Sequence, residues 1–116
     1  MVIDNVTANE RDNDATKPLV GCELVHNYDW DVRIAFAVCI AESNGNSTAV
    51  GDDYLINGLH ARSCGLFQIR TLEGRPSCEE LFDPKTNMDW AYKISGNGTN
   101  FNPWSVYTNG KYQQYL

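Results

Sequence analysis

The run Ile34-Ala35-Phe36-Ala37-Val38-Cys39-Ile40-Ala41 carries no charged side chain and no strong hydrogen-bonding group. A surface helix shows polar residues at every turn, so this run predicts a helix buried on all sides, around which the rest must pack. Its ends are legible too. Asp29 or Asp31 can cap the start by accepting from the first free backbone N–H groups. Asn44-Gly45 can take the left-handed conformation that stops a helix. Between the apolar run and that stop sits one carboxylate, Glu42. Apolar surroundings disfavour its charged form, and so does the negative end of the helix dipole. Both raise its pKa, as a carboxyl that donates protons near neutral pH requires. The end of a core helix is also a rigid mount. The competing reading gives Glu42 no task beyond marking where the helix reaches water.

The length, 116 residues, predicts one domain, with residues 1–17, rich in Asn and Asp, as a flexible N-terminal linker or arm. Pro18 opens the folded part, 18–116. The formal net charge of −6 and the lack of a Lys/Arg cluster exclude a nucleic-acid partner, whose phosphates need a basic stripe. No apolar run approaches membrane-spanning length, so no membrane insertion is expected. Met1-Val2-Ile3 is too short for a signal peptide, so if the protein is exported its signal lies upstream.

The cysteines are Cys22, Cys39, Cys64 and Cys78. None has Cys-x-x-Cys spacing, which argues against zinc. An even count in a small chain suggests disulfides and an oxidising compartment. Three pairings are open. Cys64 and Cys78 flank a short loop and are the first choice; Cys22–Cys39 follows by elimination. The alternative is four reduced thiols, with Cys39 a small core residue.

Along the chain, Leu19 to Val25 predicts a short helix ending near His26-Asn27. Ser47 to Ala61 reads as an irregular excursion, with turns at Gly51-Asp52-Asp53 and Asn57-Gly58. Leu66, Phe67 and Ile69 favour a short strand containing the polar Gln68. Ser77 with Glu80 fits a capping box, and Asp83-Pro84 resets the chain, with Asp83 committed to a helix cap. Asn87 to Ser95 reads as a helix. The aromatic stretch Phe101 to Tyr107 suggests one more, and Gly110 separates it from a last turn.

Hydrolase alternatives find little here. There is no Gly-x-Ser-x-Gly elbow for a serine nucleophile. No histidine follows Cys64, and His26 and His60 lack the supporting carboxylates of a metal site. What the chain does hold, in order, is Ala41-Glu42-Ser43-Asn44-Gly45-Asn46, Gly65-Leu66-Phe67-Gln68-Ile69, Leu81-Phe82-Asp83-Pro84 with Asn87, and Asn102-Pro103-Trp104-Ser105-Val106-Tyr107 with Gly110. Over roughly residues 20–116 this set resembles the lysozyme-like domain of soluble lytic transglycosylases and goose-type lysozymes, in the compact form of bacterial secreted and phage tail proteins.

The resemblance implies an α+β, mostly α fold, with a buried central helix, a small β element and a cleft above the helix end. It implies cleavage of the β-1,4 bond between N-acetylmuramic acid and N-acetylglucosamine in peptidoglycan. The enzyme would be a monomer of the extracellular space, cell envelope or phage tail, needing no cofactor or metal. Glu42 matches the catalytic glutamate. Ser43 matches a neighbour that helps hold substrate, Gln68 the glutamine that faces the sugar, and Tyr107 a tyrosine near the catalytic carboxyl. Thr108 departs from the family's pattern, which has Asn there. Tyr54, Phe67, Trp104 and Tyr107 offer ring faces for sugars, although so small a chain also needs aromatics inside. Most glycosidases use a second carboxylate; Asp52 and Asp53 are the candidates, against their reading as a solvated turn. That turn reading leaves no positioned base for water, and so predicts a 1,6-anhydro product of transglycosylase type. The competing function is a catalytically idle domain that binds glycan or a cell-wall partner.

Overall fold

The computed structural model describes residues 18–56 and 59–116, excluding the side chains of 53–60. The expected N-terminal arm, 1–17, lies outside the described residues. The fold is mostly helical, with one small antiparallel sheet.

The central helix, α1, spans Val32–Ser43. Asp31 caps it, accepting from the N–H groups of Arg33 at 3.1 Å and Ile34 at 3.2 Å. Asn44 turns left-handed at φ 54° and ends it. Ala35, Ala37, Val38 and Cys39 are fully buried, but Ile34, Phe36 and Ile40 are only partly so. The helix is therefore not enclosed on all sides as its sequence predicts. Val32 and Phe36 instead form a wall of an apolar groove with His26, Tyr115 and Leu116. Small domains have too little volume per unit surface to surround a helix completely.

The predicted first helix is a 3-10 helix, Gly21–Asn27, which starts two residues later than expected and ends where expected. Cys22 joins it to Cys39 in the middle of α1, with an S–S distance of 2.03 Å. The segment 50–64 differs most from its sequence reading. Strands β1, Val50–Ile56, and β2, Leu59–Cys64, form an antiparallel hairpin with Ile56 opposite Leu59. Asp52 and Asp53 thus lie in a strand, not in a turn. Gly, Asp and Asn are depleted from strands, so local preference points the wrong way, and the cross-strand partner decides. Pairing jumps from Gly51↔Ser63 to Tyr54↔Ala61, which sets two residues against one in a β-bulge. Asp52 sits in that bulge at φ 41°.

The expected strand at Gly65–Ile69 is mostly a turn, in which the Gln68 N–H donates to the Gly65 carbonyl at 3.0 Å. Only Ile69–Arg70 forms a strand, β3, on the edge of β2. Leu66 and Phe67 owe their hydrophobicity to burial rather than to a strand.

A short helix α2, Cys78–Leu81, carries the capping box of Ser77 and Glu80. Cys78 bonds Cys64, Cα–Cα 5.4 Å, tying α2 to the end of β2. Helix α3, Pro84–Ile94, begins three residues earlier than predicted: Asp83 is its N-cap and Pro84 its first residue. Helix α4, Ser105–Thr108, and a 3-10 helix, Lys111–Tyr115, complete the chain. Among the described residues no helix is long and apolar enough to cross a membrane.

Asn87, fully buried on α3, holds this half together. Its Nδ2 donates to the carbonyls of Cys64 at 2.8 Å and Leu81 at 3.0 Å, and its Oδ1 accepts from the Phe67 N–H at 2.8 Å. Gly65 makes room for it. A Cβ on Gly65 would stand 2.2 Å from Asn87 Nδ2 and 2.3 Å from the Leu81 carbonyl oxygen, and its φ is +79°. Gly65→Ala is therefore expected to destabilise the fold by at least about 2 kcal/mol, through overpacking and left-handed strain together. Denaturant titration checks this; a midpoint equal to the parent's would mean the buried turn relaxes freely.

Candidate active site

Glu42 sits in the last turn of α1, one turn beyond the Cys39 disulfide. Its carboxyl faces a cleft of ≈ 280 Å³. Asp52 and Ser63 of the hairpin, the β3 segment Gln68-Ile69-Arg70, and the following Leu72 and Arg75 form one side. Ile94 at the end of α3 and Pro103-Trp104-Ser105 form the other. The helix supplies the carboxyl, the sheet one wall, and the α3–α4 region the second.

The Glu42 pKa is pushed up to about 7. Burial is the largest cause, the negative charge of Asp52 adds to it, and the Arg70 guanidinium pulls the other way. The carboxyl therefore exchanges protons near neutrality while held on a rigid element.

Asp52 is brought to the same cleft, where its Oδ2 accepts a hydrogen bond from Ser63 Oγ at 3.3 Å. The bulge re-aims its carboxylate, so the reading of Asp52 as part of a merely solvated turn is corrected. The side chains of Asp53 and Tyr54 lie outside the described residues. Gln68 lines the cleft, with its Nε2 donating to the carbonyls of Ala49 at 3.1 Å and Gly65 at 3.0 Å. What it offers a ligand is its carbonyl oxygen. That oxygen passes 2.6 Å from where a Cβ of Gly51 would stand, so the close approach requires glycine there.

Trp104 lines the cleft with one edge, its ring otherwise buried and its Nε1 donating to the Phe67 carbonyl at 2.8 Å. Phe67, expected to offer a face to sugar, is fully buried between Trp30 and Trp104. It supports Trp104 from beneath, because a ring this large contributes most by burial in so small a core. Ser43 is not brought to the cleft either. Its Oγ donates to the Cys39 carbonyl at 3.1 Å and accepts from the Gly45 N–H at 3.2 Å, fastening the helix end beside Glu42. Tyr107, half-buried on α4, stacks on Phe101 and Tyr112 and does not line the cleft.

Sequence reasoning missed Ser63, Arg70 and Arg75, which reach the cleft through strand pairing and a loop; no local signal marks them. Asn87 was visible only as part of a motif, not as the hydrogen-bond hub beneath the cleft.

Residues 26–106 match the family model described as "Lysozyme like domain". The chain is also similar to the membrane-bound lytic murein transglycosylase E of Buchnera aphidicola subsp. Acyrthosiphon pisum (strain APS), at 32% identity over 68 residues. That match covers 55% of this chain and 31% of the relative's length. No solved structure matches the chain significantly. With its family match running from the first 3-10 helix into α4, and a glutamate at the cleft end of its core helix, the chain belongs to the lysozyme-like domain family.

Proposed function

We propose that this domain cleaves the β-1,4 bond between N-acetylmuramic acid and N-acetylglucosamine in peptidoglycan, with Glu42 as general acid and then base. The observation that carries the reading is the Glu42 carboxyl, pushed up to about 7 in a cleft at the rigid end of a core helix. A carboxyl so poised gives its proton to the glycosidic oxygen as the bond to the muramic C1 breaks through an oxocarbenium-like state. The C6 hydroxyl of the same sugar then closes on C1 and returns a proton to Glu42. The product ends in a 1,6-anhydro ring, and no water is consumed. A nucleophile already held beside the reacting carbon gains up to ~7–11 kcal/mol over one recruited from solution. The similarity to a lytic murein transglycosylase supports this course. Gln68 and Trp104 would contact the sugars, and Tyr107 would support α4 behind them.

The placement of Asp52 favours a second reading, hydrolysis. A carboxylate in the same cleft could activate water across the ring, for which inverting enzymes set the two carboxyls ~6.5–9.5 Å apart. Mass spectrometry of released muropeptides separates the two, since the anhydro form lacks one water. The expected result is anhydro ends from both the parent and Asp52→Asn. Reducing ends, together with loss of activity in Asp52→Asn, would establish the hydrolase. No turnover of purified peptidoglycan by the parent would leave the idle, glycan-binding domain.

Protonated Glu42 is the active form in the first step, and its pKa is raised. Activity is therefore expected to be high below pH about 7 and to fall as pH rises through that value. Because the charge of Asp52 contributes to the rise, the alkaline limb of Asp52→Asn should move to lower pH. A kcat/KM–pH profile measures both; an alkaline limb near the ordinary carboxyl range in the parent would contradict the assignment. The disulfides Cys22–Cys39 and Cys64–Cys78 support an oxidising location, the extracellular space or cell envelope. The domain would act there as a monomer on glycan strands.

A further inference from the structure

We propose, resting on the peptidoglycan reading above, that Arg75, seated beside Arg70, reads a carboxylate carried by the muramic residue and makes the domain select such strands over neutral oligosaccharides. The chain as a whole is acidic, with 15 Asp and Glu against 9 Lys and Arg. Its general field repels an anionic polymer, yet two of those nine cations line this one cleft. Arg75 is held by its backbone: its N–H donates to the Leu72 carbonyl at 3.0 Å, in a loop that turns at Gly74 and continues into Pro76. Its side chain is less committed. One of its five N–H donors reaches the Arg70 carbonyl at 3.4 Å, near the limit of a hydrogen bond. Among the described residues no carboxylate pairs with it. A partly buried guanidinium fork suits a planar carboxylate, which it can bind through two parallel bonds.

The position fits the chemistry of the bond being broken. Arg70 acts electrostatically on Glu42, so the basic side of the cleft stands near the proton donor. The sugar whose C1 loses its bond to the protonated glycosidic oxygen is the muramic one, and it alone bears the lactyl ether at C3. That ether ends in a free carboxylate on stripped strands. On intact strands it carries a peptide stem with carboxylates of its own. N-acetylglucosamine is neutral and gives the fork nothing to bind.

Isothermal titration of the Glu42→Gln protein tests this without turnover. Three probes are used: N-acetylchitotetraose, peptide-bearing glycan strands, and strands stripped to the lactyl carboxylate by an amidase. A preference for one carboxylate-bearing strand over the neutral probe is expected. Adding Arg75→Gln should shrink that preference about tenfold, the usual scale for losing a charge-assisted bond, with the effect falling at high salt. Whichever strand loses more identifies the lactyl or the stem carboxylate as the group read. An unchanged preference in Arg75→Gln overturns the role of Arg75 while leaving peptidoglycan cleavage standing. Absence of binding to all three probes, with no turnover by the parent, overturns both.

Discussion

Glu42→Gln is expected to fold as the parent does and to lose at least ~10²–10⁴-fold in muralytic rate, the range that general acid catalysis contributes. The amide keeps the shape and cannot give a proton at neutral pH. Its effect on stability should run the other way. The folded carboxyl ionises near pH 7, above its ordinary value of 4.5, so the stabilisation it contributes is fully present below pH 4.5 and lost as pH rises through about 7. Glutamine has no such charge to desolvate. The variant should therefore melt higher than the parent above neutrality and lose that advantage toward pH 4, a local case of function held at the expense of stability. Turbidity clearance on cell walls and thermal melts at two pH values measure both effects. Parent-like clearance by Glu42→Gln would remove Glu42 from the chemistry altogether.

The second large effect is expected at Asn87. Asn87→Ala takes the partner from one buried N–H, that of Phe67, and from the carbonyls of Cys64 and Leu81. Each buried polar group left unpaired costs ~1–3 kcal/mol. Three together approach the whole stability of a small domain, about 5–15 kcal/mol. The variant should unfold at much lower denaturant concentration, its disulfides still closed. Asn87→Asp should fare little better, because it keeps the acceptor for Phe67 but turns an oxygen toward two carbonyl oxygens. A loss below about 1 kcal/mol in Asn87→Ala would mean that water replaces the amide. The consequence for function is direct. Asn87 fixes the turn that places Gln68 and Phe67, and Phe67 supports Trp104. The cleft rests on a residue that never enters it.

Several parts of this molecule were legible before any coordinate. The α1 stop at Asn44-Gly45, the capping box at Ser77 and the apolar stretch leading to Glu42 are local signals, written in residues within one turn of each other. Local backbone and side-chain chemistry is enough to set them. Asp83 was just as local and reads as a helix cap, but the helix it caps was placed from Asn87 rather than from Pro84. The hairpin was hidden for a different reason. Gly51, Asp52 and Asp53 each prefer turns, and only the partner strand, Leu59–Cys64, makes β1 a strand, while the turn expected at Asn57-Gly58 lies outside the described residues. Phe67 shows the limit for aromatics: sequence reports a ring, not which side of the ring faces water.

By itself the sequence determined a mostly helical domain built on α1, with a glutamate in the last turn of that helix directly after its apolar run, because the run and the stop are written along one short stretch of chain. The tertiary structure alone decided what stands around that glutamate. Asp52 comes from a bulge set by the register against Ser63 and Ala61. Arg70 comes from a two-residue edge strand, and Trp104 is anchored by a bond to a carbonyl 37 residues away. These neighbours meet through strand pairing and long-range hydrogen bonds, whose energies depend on partners far along the chain. No window of local sequence holds that information.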